Sequence, residues 1–591
     1  MSFQLFHVRS FALVLGLLVA VGARFAAAES ELVAAFPAGA VVYGELSDAG
    51  AVAERLHGSA YWSTLVDSPQ WKQAQGTPQW RQFAAGRTLV ERQLGMDAWE
   101  AAKSLLGHRV AVALYPRGPG EKPNVVALVR TADAGFLPQL REQLAPMLAL
   151  AEEKLHVSQA LDGVERINLD NHGFLAWKGD WLVFADKEQL LDQSLSLLAK
   201  NEGESLKQDQ PYQAMLAQAK WDAPPSDSNT RLLRVYANMA MINQAAGGRF
   251  VPEKLDNALS SLVLGESLQL ASRSPYLSVA VDVGDHGWLA TATTAGDRAE
   301  LGELYAPFFP PAGEAGVKPF PEVPKLLGGV TIYRDFAKWY GLREQLLQEQ
   351  LMPEFDKFES GLANLLPGKD FGEDVLPLVG RRLTFVAAPQ DFAHLDGEPA
   401  VKLPGFALVV ELAKPDEAAA ILQFFTQTLA AILNIEAGQQ GRQPWVMTSE
   451  AYQGVQIAYA DYLDKPTGDK LGIAFNFLPA TARVGDQYIL SSSRGLCRQL
   501  VDALQQPATS IGAHEAPRTI DTSLQVGPIT DLLEENREFF QGRMIQEGRT
   551  AEEAKAEFDV LITLLRRLVS LRLSTVAEAK TFQLQFAGSW Q

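Results

Sequence analysis

Cysteine is almost absent: Cys497 is the only one in 591 residues. One thiol forms no internal disulfide, whatever the redox state of the compartment. It lies in Leu496-Cys497-Arg498-Gln499-Leu500, a helix-like stretch in which a buried structural thiol is expected rather than a nucleophile. Histidine is sparse too, with eight at positions 7, 57, 108, 156, 172, 286, 394 and 514. No two have the spacing of a zinc-binding helix, and no His-Glu-x-x-His occurs. Asp285-His286-Gly287 lies between two strand-like runs and reads as a hairpin turn. Asp461, Asp464 and Asp469 share a loop that lacks the alternating ligands, central glycine and final glutamate of a calcium hand. Weak calcium binding there stays open; otherwise no metal and no cofactor is expected.

Nucleophile signatures are missing as well. There is no Gly-x-Ser-x-Gly elbow and no Ser-x-x-Lys with its companion motifs. Ser491-Ser492-Ser493-Arg494 reads as the polar start of a helix. Gly118-Pro119-Gly120 has no following Lys-Ser/Thr and is no phosphate loop. Glu152-Glu153, Glu534-Glu535 and Glu552-Glu553 are adjacent on helical patterns, so their carboxylates face different ways. Positive charge is in deficit, with 52 basic against 70 acidic residues and a formal net charge of −18. Such a surface disfavours nucleic-acid backbones and anionic lipid surfaces.

What is present begins with an export signal. Arg9 precedes a run from Phe11 to Val21 that is apolar apart from Gly16, and small residues end in Ala26-Ala27-Ala28. This is the order of a secretory signal peptide over residues 1–28, with cleavage expected after Ala28. The run is about half of the ~20 residues a spanning helix needs. Its removal takes Arg9 and Arg24 and no acid, moving the formal charge from −18 to −20. No later segment reads as long and apolar enough to span a bilayer. The mature chain is therefore expected to be soluble, in the periplasm or outside the cell, without an integral membrane segment.

An internal repeat sets the expected architecture. Gly95, Asp97, Glu100, Leu105, Gly107, Arg109 and Pro116 recur as Gly368, Asp370, Glu373, Leu378, Gly380, Arg382 and Pro389, all at an offset of 273. Ala40–Leu46 resembles Gly329–Asp335, Val125–Val129 resembles Phe406–Val410, and Gly179–Phe184 resembles Gly485–Leu490. Strands occur in pairs more often than in strand–helix–strand units, so an α+β fold is expected, with mainly antiparallel sheets and helices packed on them. The expected boundaries are 29–305 for the first repeat, 306–324 for a proline-rich, semi-rigid linker, and 325–591 for the second.

The repeated residues have a structural explanation. Gly95 and Gly368 suit helix ends. Asp97 and Asp370 suit N-caps, with Glu100 and Glu373 three residues on. Gly107 and Gly380 would end those helices, and Arg109 and Arg382 would begin strands. A functional alternative makes Asp97 with Arg109, and Asp370 with Arg382, paired polar sites. These motifs, with Phe36-Pro37-Ala38-Gly39-Ala40 before a Val-Tyr strand, resemble an exported bacterial family classed as a domain of unknown function. The resemblance implies an uncharacterised exported α+β protein and names no substrate or catalytic residue.

The one unusual cluster is aromatic: Tyr61, Trp62, Trp71, Trp80 and Trp99. Trp62, Trp71 and Trp80 are candidate ligand-binding residues, since exposed indoles stack on sugars or hold apolar groups. The alternative is that they pack inserted helices onto the sheet. The leading reading is an exported, non-catalytic binding or scaffold protein with an unknown ligand, including a carrier of an apolar molecule. Two others stay open: an extracytoplasmic, glycan-directed hydrolase with an unrecognised carboxylate pair, and a structural or assembly partner of the cell envelope.

Overall fold

The computed structural model describes residues 32–591, apart from 119–120, 151–155, 159–163, 170–171, 201–202, 220–228, 249–251, 297–300, 312–313, 315, 442–443, 464–466 and 507–516. The expected signal peptide lies outside the described residues, as does part of the 461–469 loop. The fold is α+β, built on antiparallel sheet with helices packed on it. The chain divides into two compact units. One comprises residues up to 250 with Leu270–Ala295, the other Val251–Gln269 with Gly296–Gln591.

The first unit contributes β1 (Val42–Ser47), β2 (Arg109–Tyr115), β3 (Asn124–Arg130), β4 (His156–Ser158), β5 (Glu165–Asn168), β6 (Phe174–Lys178), β7 (Trp181–Ala185), β8 (Thr230–Asn238), β9 (Tyr276–Val283) and β10 (Gly287–Ala295). Every pairing in it is antiparallel, in the order β10-β9-β8-β1-β2-β3-β7-β6-β5-β4. Gly179 has φ of +60° in the β6–β7 turn, a conformation that glycine adopts without the steric cost of a Cβ. Val126, Leu128 and Val183 are fully buried with Ala111, Ala113 and Tyr43, and Leu191 and Leu195 of the helix Glu188–Lys200 close over them.

The second unit contributes β11 (Gly328–Tyr333), β12 (Val379–Ala388), β13 (Asp396–Pro399), β14 (Gly405–Leu412), β15 (Trp445–Tyr452), β16 (Val455–Tyr462), β17 (Thr467–Leu471), β18 (Ala480–Val484), β19 (Gln487–Ser491), β20 (Arg518–Gln525), β21 (Leu568–Ala577) and β22 (Thr581–Trp590). Its ladder runs β22-β21-β20-β11-β12-β14-β19-β18-β16-β15, again antiparallel, while β13 and β17 form a small parallel pair. The two units therefore share one strand order. Registers agree too: Ala127 faces Val112 and Phe184, as Leu408 faces Phe385 and Leu490. At the first strand the register differs from the sequence alignment. Val112 faces Gly44 and Phe385 faces Val330, which sets Val330 against Gly44, three residues from the Val41 that the sequence suggests.

The proline-rich segment is not a free linker. It begins with a 3₁₀ helix, Glu303–Phe308, that holds Pro307 despite the expectation that proline excludes helix there, and Tyr305, Phe308, Val317 and Val323 are buried in the second unit. Val317 N–H donates to Arg518 O at 2.8 Å and Arg382 Nε donates to Gly316 O at 2.7 Å. The division thus falls at 295/296 rather than 305/306, and Val251–Gln269 belongs with the second unit. A buried ion pair holds it there. Arg334 and Glu266 are both fully buried and meet at 2.7 Å. Arg334 also donates to Leu262 O at 2.6 Å, Val263 O at 2.8 Å and Tyr333 O at 2.6 Å, and lies 5.0 Å from the Phe308 ring centre. Glu266 accepts a further bond from Thr519 Oγ1 at 3.2 Å. Burial raises the pKa of the Glu266 carboxyl, opposed by the Arg334 charge.

Along β22, Phe582 is buried while Phe586 is 40 % exposed. One further expectation changes. The helix Pro415–Gln439 is 25 residues long and apolar enough, by length and composition, to cross a membrane, contrary to the sequence reading. Little of it is buried, and Phe424, Ile432, Leu433 and Ile435 are exposed.

Strand β15 is fastened to the helix Arg494–Gln505 through Glu450, which accepts from Arg494 Nε at 2.9 Å and Arg498 Nε at 2.8 Å. These bonds hold the Glu450 pKa down at about 2. The two guanidinium groups lie over Tyr459 and Tyr452, 4.1 and 5.3 Å from the ring centres.

Two outcomes are expected. Arg334→Met leaves Glu266 buried without its partner and should destabilise the second unit by about 3–5 kcal/mol, read from chemical denaturation. Glu450 titrates lower when folded than the roughly 4.3 of a free glutamate. Its stabilisation is complete above that value and is lost as pH falls toward 2. Glu450→Gln should flatten this part of the stability–pH curve, and an unchanged acid limb would refute the assignment.

Candidate ligand pocket

The pocket lies in the second unit and is made by the helices Phe336–Gly341 and Met352–Leu365, the turn Phe371–Val375 and the start of the helix Ala258–Arg273. Asp335 accepts from Lys338 N–H at 3.1 Å and starts the helix Phe336–Gly341. Pro353 opens the helix Met352–Leu365, where Phe355 and Phe358 sit three residues apart on one side. Asp370 accepts from Glu373 N–H at 2.7 Å and starts the turn Phe371–Val375. A Cβ on Gly372 would lie 3.2 Å from the Tyr340 ring, so glycine lets that ring approach.

Together these elements line an open cavity of about 370 Å³. Six aromatic rings line it, from Phe336, Trp339, Tyr340, Phe355, Phe358 and Phe371, with Ala258, Leu262, Leu376 and Glu354 completing the wall. Tyr340 meets Phe371 edge-to-face at 5.4 Å and Phe355 at 5.9 Å, and Phe358 meets Phe371 at 5.4 Å. Aromatic pairs prefer such geometry because positive ring edges meet negative faces. Tyr340 donates to Glu359, and burial together with this carboxylate raises its pKa, so the phenol stays protonated at neutral pH. Arg343 lies 4.3 Å from the Tyr340 ring centre and pairs with Glu359 at 3.3 Å. Trp339 Nε1 is buried with no hydrogen-bond partner among the described residues.

Other cavities are less suited to a ligand. One of about 410 Å³ is lined by Arg537, Arg566, Glu534 and Asp559, but those arginines already pair with the carboxylates. Another of about 550 Å³ has mixed walls that include Tyr305, Pro310 and Arg381. Among the described residues no cluster of three His, Cys, Asp or Glu side chains is placed to hold a metal ion. Cys497 is buried, and burial pushes its thiol up to about 12, so it is no thiolate at neutral pH.

The sequence candidates fall elsewhere, in the first unit. Trp62, Trp71 and Trp80 form a ladder, with ring centres 5.5 and 5.3 Å apart and planes near perpendicular. Phe83 continues it at 5.5 Å, and His57 lies 5.9 Å from both Trp62 and Trp99. Each rung is a self-capped helix start. Ser59, Ser68 and Thr77 accept from the backbone N–H of Trp62, Trp71 and Trp80 at 3.1, 3.2 and 3.3 Å. A Ser/Thr-x-x-Trp repeat of nine residues was therefore written in the chain, in addition to the aromatic clustering. The half-buried ladder rings pack on one another, while Phe83 is 61 % and Trp99 43 % exposed.

The 273-offset residues serve the fold. Gly95 has φ of +63° and ends a helix; Asp97 accepts from the N–H groups of Trp99 and Glu100. Glu100 meets Lys103 at 2.8 Å instead of completing a capping box. Glu373 does not complete one either, because Asp374 accepts the Asp370 N–H at 2.9 Å. Gly368 has φ of +74°. Gly107 ends its helix in right-handed conformation, and a Cβ there would lie 3.1 Å from the Gly50 Cα. Gly380 is not a helix end: it lies in β12, where a Cβ would meet Glu411 Cγ at 2.7 Å. The polar pairs are also different. Arg109 pairs with Glu45 at 3.2 Å and Arg382 with Glu411 at 2.9 Å, rather than with Asp97 and Asp370.

Trp71→Ala removes the central rung and both of its ring contacts. The first unit should lose about 1–2 kcal/mol, and the exciton signal of coupled indoles in circular dichroism should vanish. Retention of that signal would refute the ladder.

No family model and no curated protein matches the chain. Among solved structures, crystal forms IV and I of TP0453 are similar over part of it. They are 9 % and 10 % identical, cover 45 % of this chain and 81 % and 79 % of their own, and give TM-scores of 0.24 and 0.23. At these scores the likeness carries no argument about fold or function.

Proposed function

We propose that this is an exported, non-catalytic protein that carries an apolar ligand in the aromatic pocket of its second unit. The observation that supports it is a cavity of about 370 Å³ walled by six aromatic rings. Ligand pockets commonly span roughly 300–1,000 Å³, with mainly apolar walls and few polar groups. Export rests on Arg9, the apolar run Phe11–Val21 and Ala26-Ala27-Ala28. Membership of the exported family of unknown function, and origin of the two units by tandem duplication, are part of the same reading.

A hydrolase reading finds less support. Glu54 and Glu100, on helices flanking the aromatic ladder, share the Lys103 ammonium at 2.7 and 2.8 Å and are placed as an ion-paired strut. The ladder itself favours a second reading, an assembly partner of the envelope, because Tyr61, Phe83 and Trp99 are exposed beside it.

Native mass spectrometry of the mature protein from its own host should show a bound mass that is lost on denaturation. In parallel, the neutral dye Nile red should bind the purified protein, and Phe358→Asp should weaken it at least tenfold without changing the far-UV circular dichroism. Equal dye binding by wild type and Phe358→Asp would refute the pocket. A co-purifying protein with no small molecule would favour the assembly reading.

A further inference from the structure

We infer that the polar end of the ligand is a protonated or quaternary amine, so that the pocket takes a lipophilic organic cation. This rests on the carrier reading and specifies the ligand's chemistry. Glu354 is the one charged residue among the described residues that line the cavity. Its carboxylate is exposed and has no hydrogen-bond or ion-pair partner among the described residues. Six of the other nine lining residues are aromatic, and ring faces carry partial negative charge and attract cations.

One ring of the group already does so, since Arg343 lies 4.3 Å from the centre of Tyr340. That guanidinium is committed to Glu359 and to Tyr340 O, and it does not line the cavity. Glu373 and Asp374 in the turn of Phe371 are offset by Lys338 and Lys357 beside Trp339 and Phe358, so Glu354, which lines the cavity, sets the sign there. An anionic ligand would meet the Glu354 carboxylate at the rim and a protein of net charge −18. An ammonium would pair with Glu354 at the rim while its apolar part enters between the rings.

The test compares three dodecyl compounds below their micellar concentrations: dodecyltrimethylammonium, dodecanol and dodecanoate. Each is titrated against Nile red bound to the full-length mature protein. The ammonium should displace the dye at about one-tenth of the concentration required for dodecanoate, with dodecanol between them. Glu354→Gln, an exposed and conservative change, should weaken the ammonium several-fold, strengthen dodecanoate and leave dodecanol unchanged. Tighter or equal binding of dodecanoate, or a Glu354→Gln variant that binds all three as wild type does, would overturn the inference while leaving the carrier reading intact. Failure of all three to displace the dye would overturn both.

Discussion

The second unit depends on one interaction, the contact between Arg334 and Glu266 inside it. Desolvating two charges is costly, and the geometry must compensate. Here the guanidinium takes backbone carbonyls of residues 262, 263 and 333 as well as the carboxylate. Leu262 is also a wall of the aromatic cavity. The charge pair therefore fixes where that wall stands relative to the helix Phe336–Gly341, which begins two residues after Arg334. Apolar contacts alone would let the wall slide; directional bonds to its backbone do not. Charge pairing, packing and the position of one cavity wall are set at a single point.

Much of the sheet was legible in the sequence because its signals are local. Gly179 and Gly485 mark hairpin turns through positive φ, and the apolar runs beside them fill strands. The Asp97 and Asp370 caps follow from side-chain length and backbone geometry, and both are present. The offset of 273 carried the register of β2 and β12 correctly. The alignment at β1 and β11 was three residues out because short β-rich runs resemble one another under small shifts. Only the partner strand fixes register there. The prolines of 307–324 argued against regular structure, yet Pro307 lies in a 3₁₀ helix, and they did not reveal burial, which came from the intervening Phe308 and Val317.

The pocket was not legible. Its walls come from residues 258–262, 336–340, 354–358 and 371–376, and no periodicity connects those segments. The sequence pointed instead to the tryptophans of the first unit because they are close together in the chain. Aromatic residues thus take two arrangements in this protein. In the first unit they stack in chain order along consecutive short helices. In the second they converge from separate elements around a space. Proximity in sequence finds the first arrangement and misses the second.

The nine-residue rungs have a consequence for the evolution of the chain. Each carries its own hydroxyl cap, and in two of the three a proline follows that cap. Each rung also presents its indole to the next. Such a module is closed under insertion and deletion. Adding or removing nine residues conserves every local bond and changes only the number of indoles in the row. Length variation among descendants of this chain should accordingly come in whole multiples of that module, as links are added to a chain rather than as a loop is stretched.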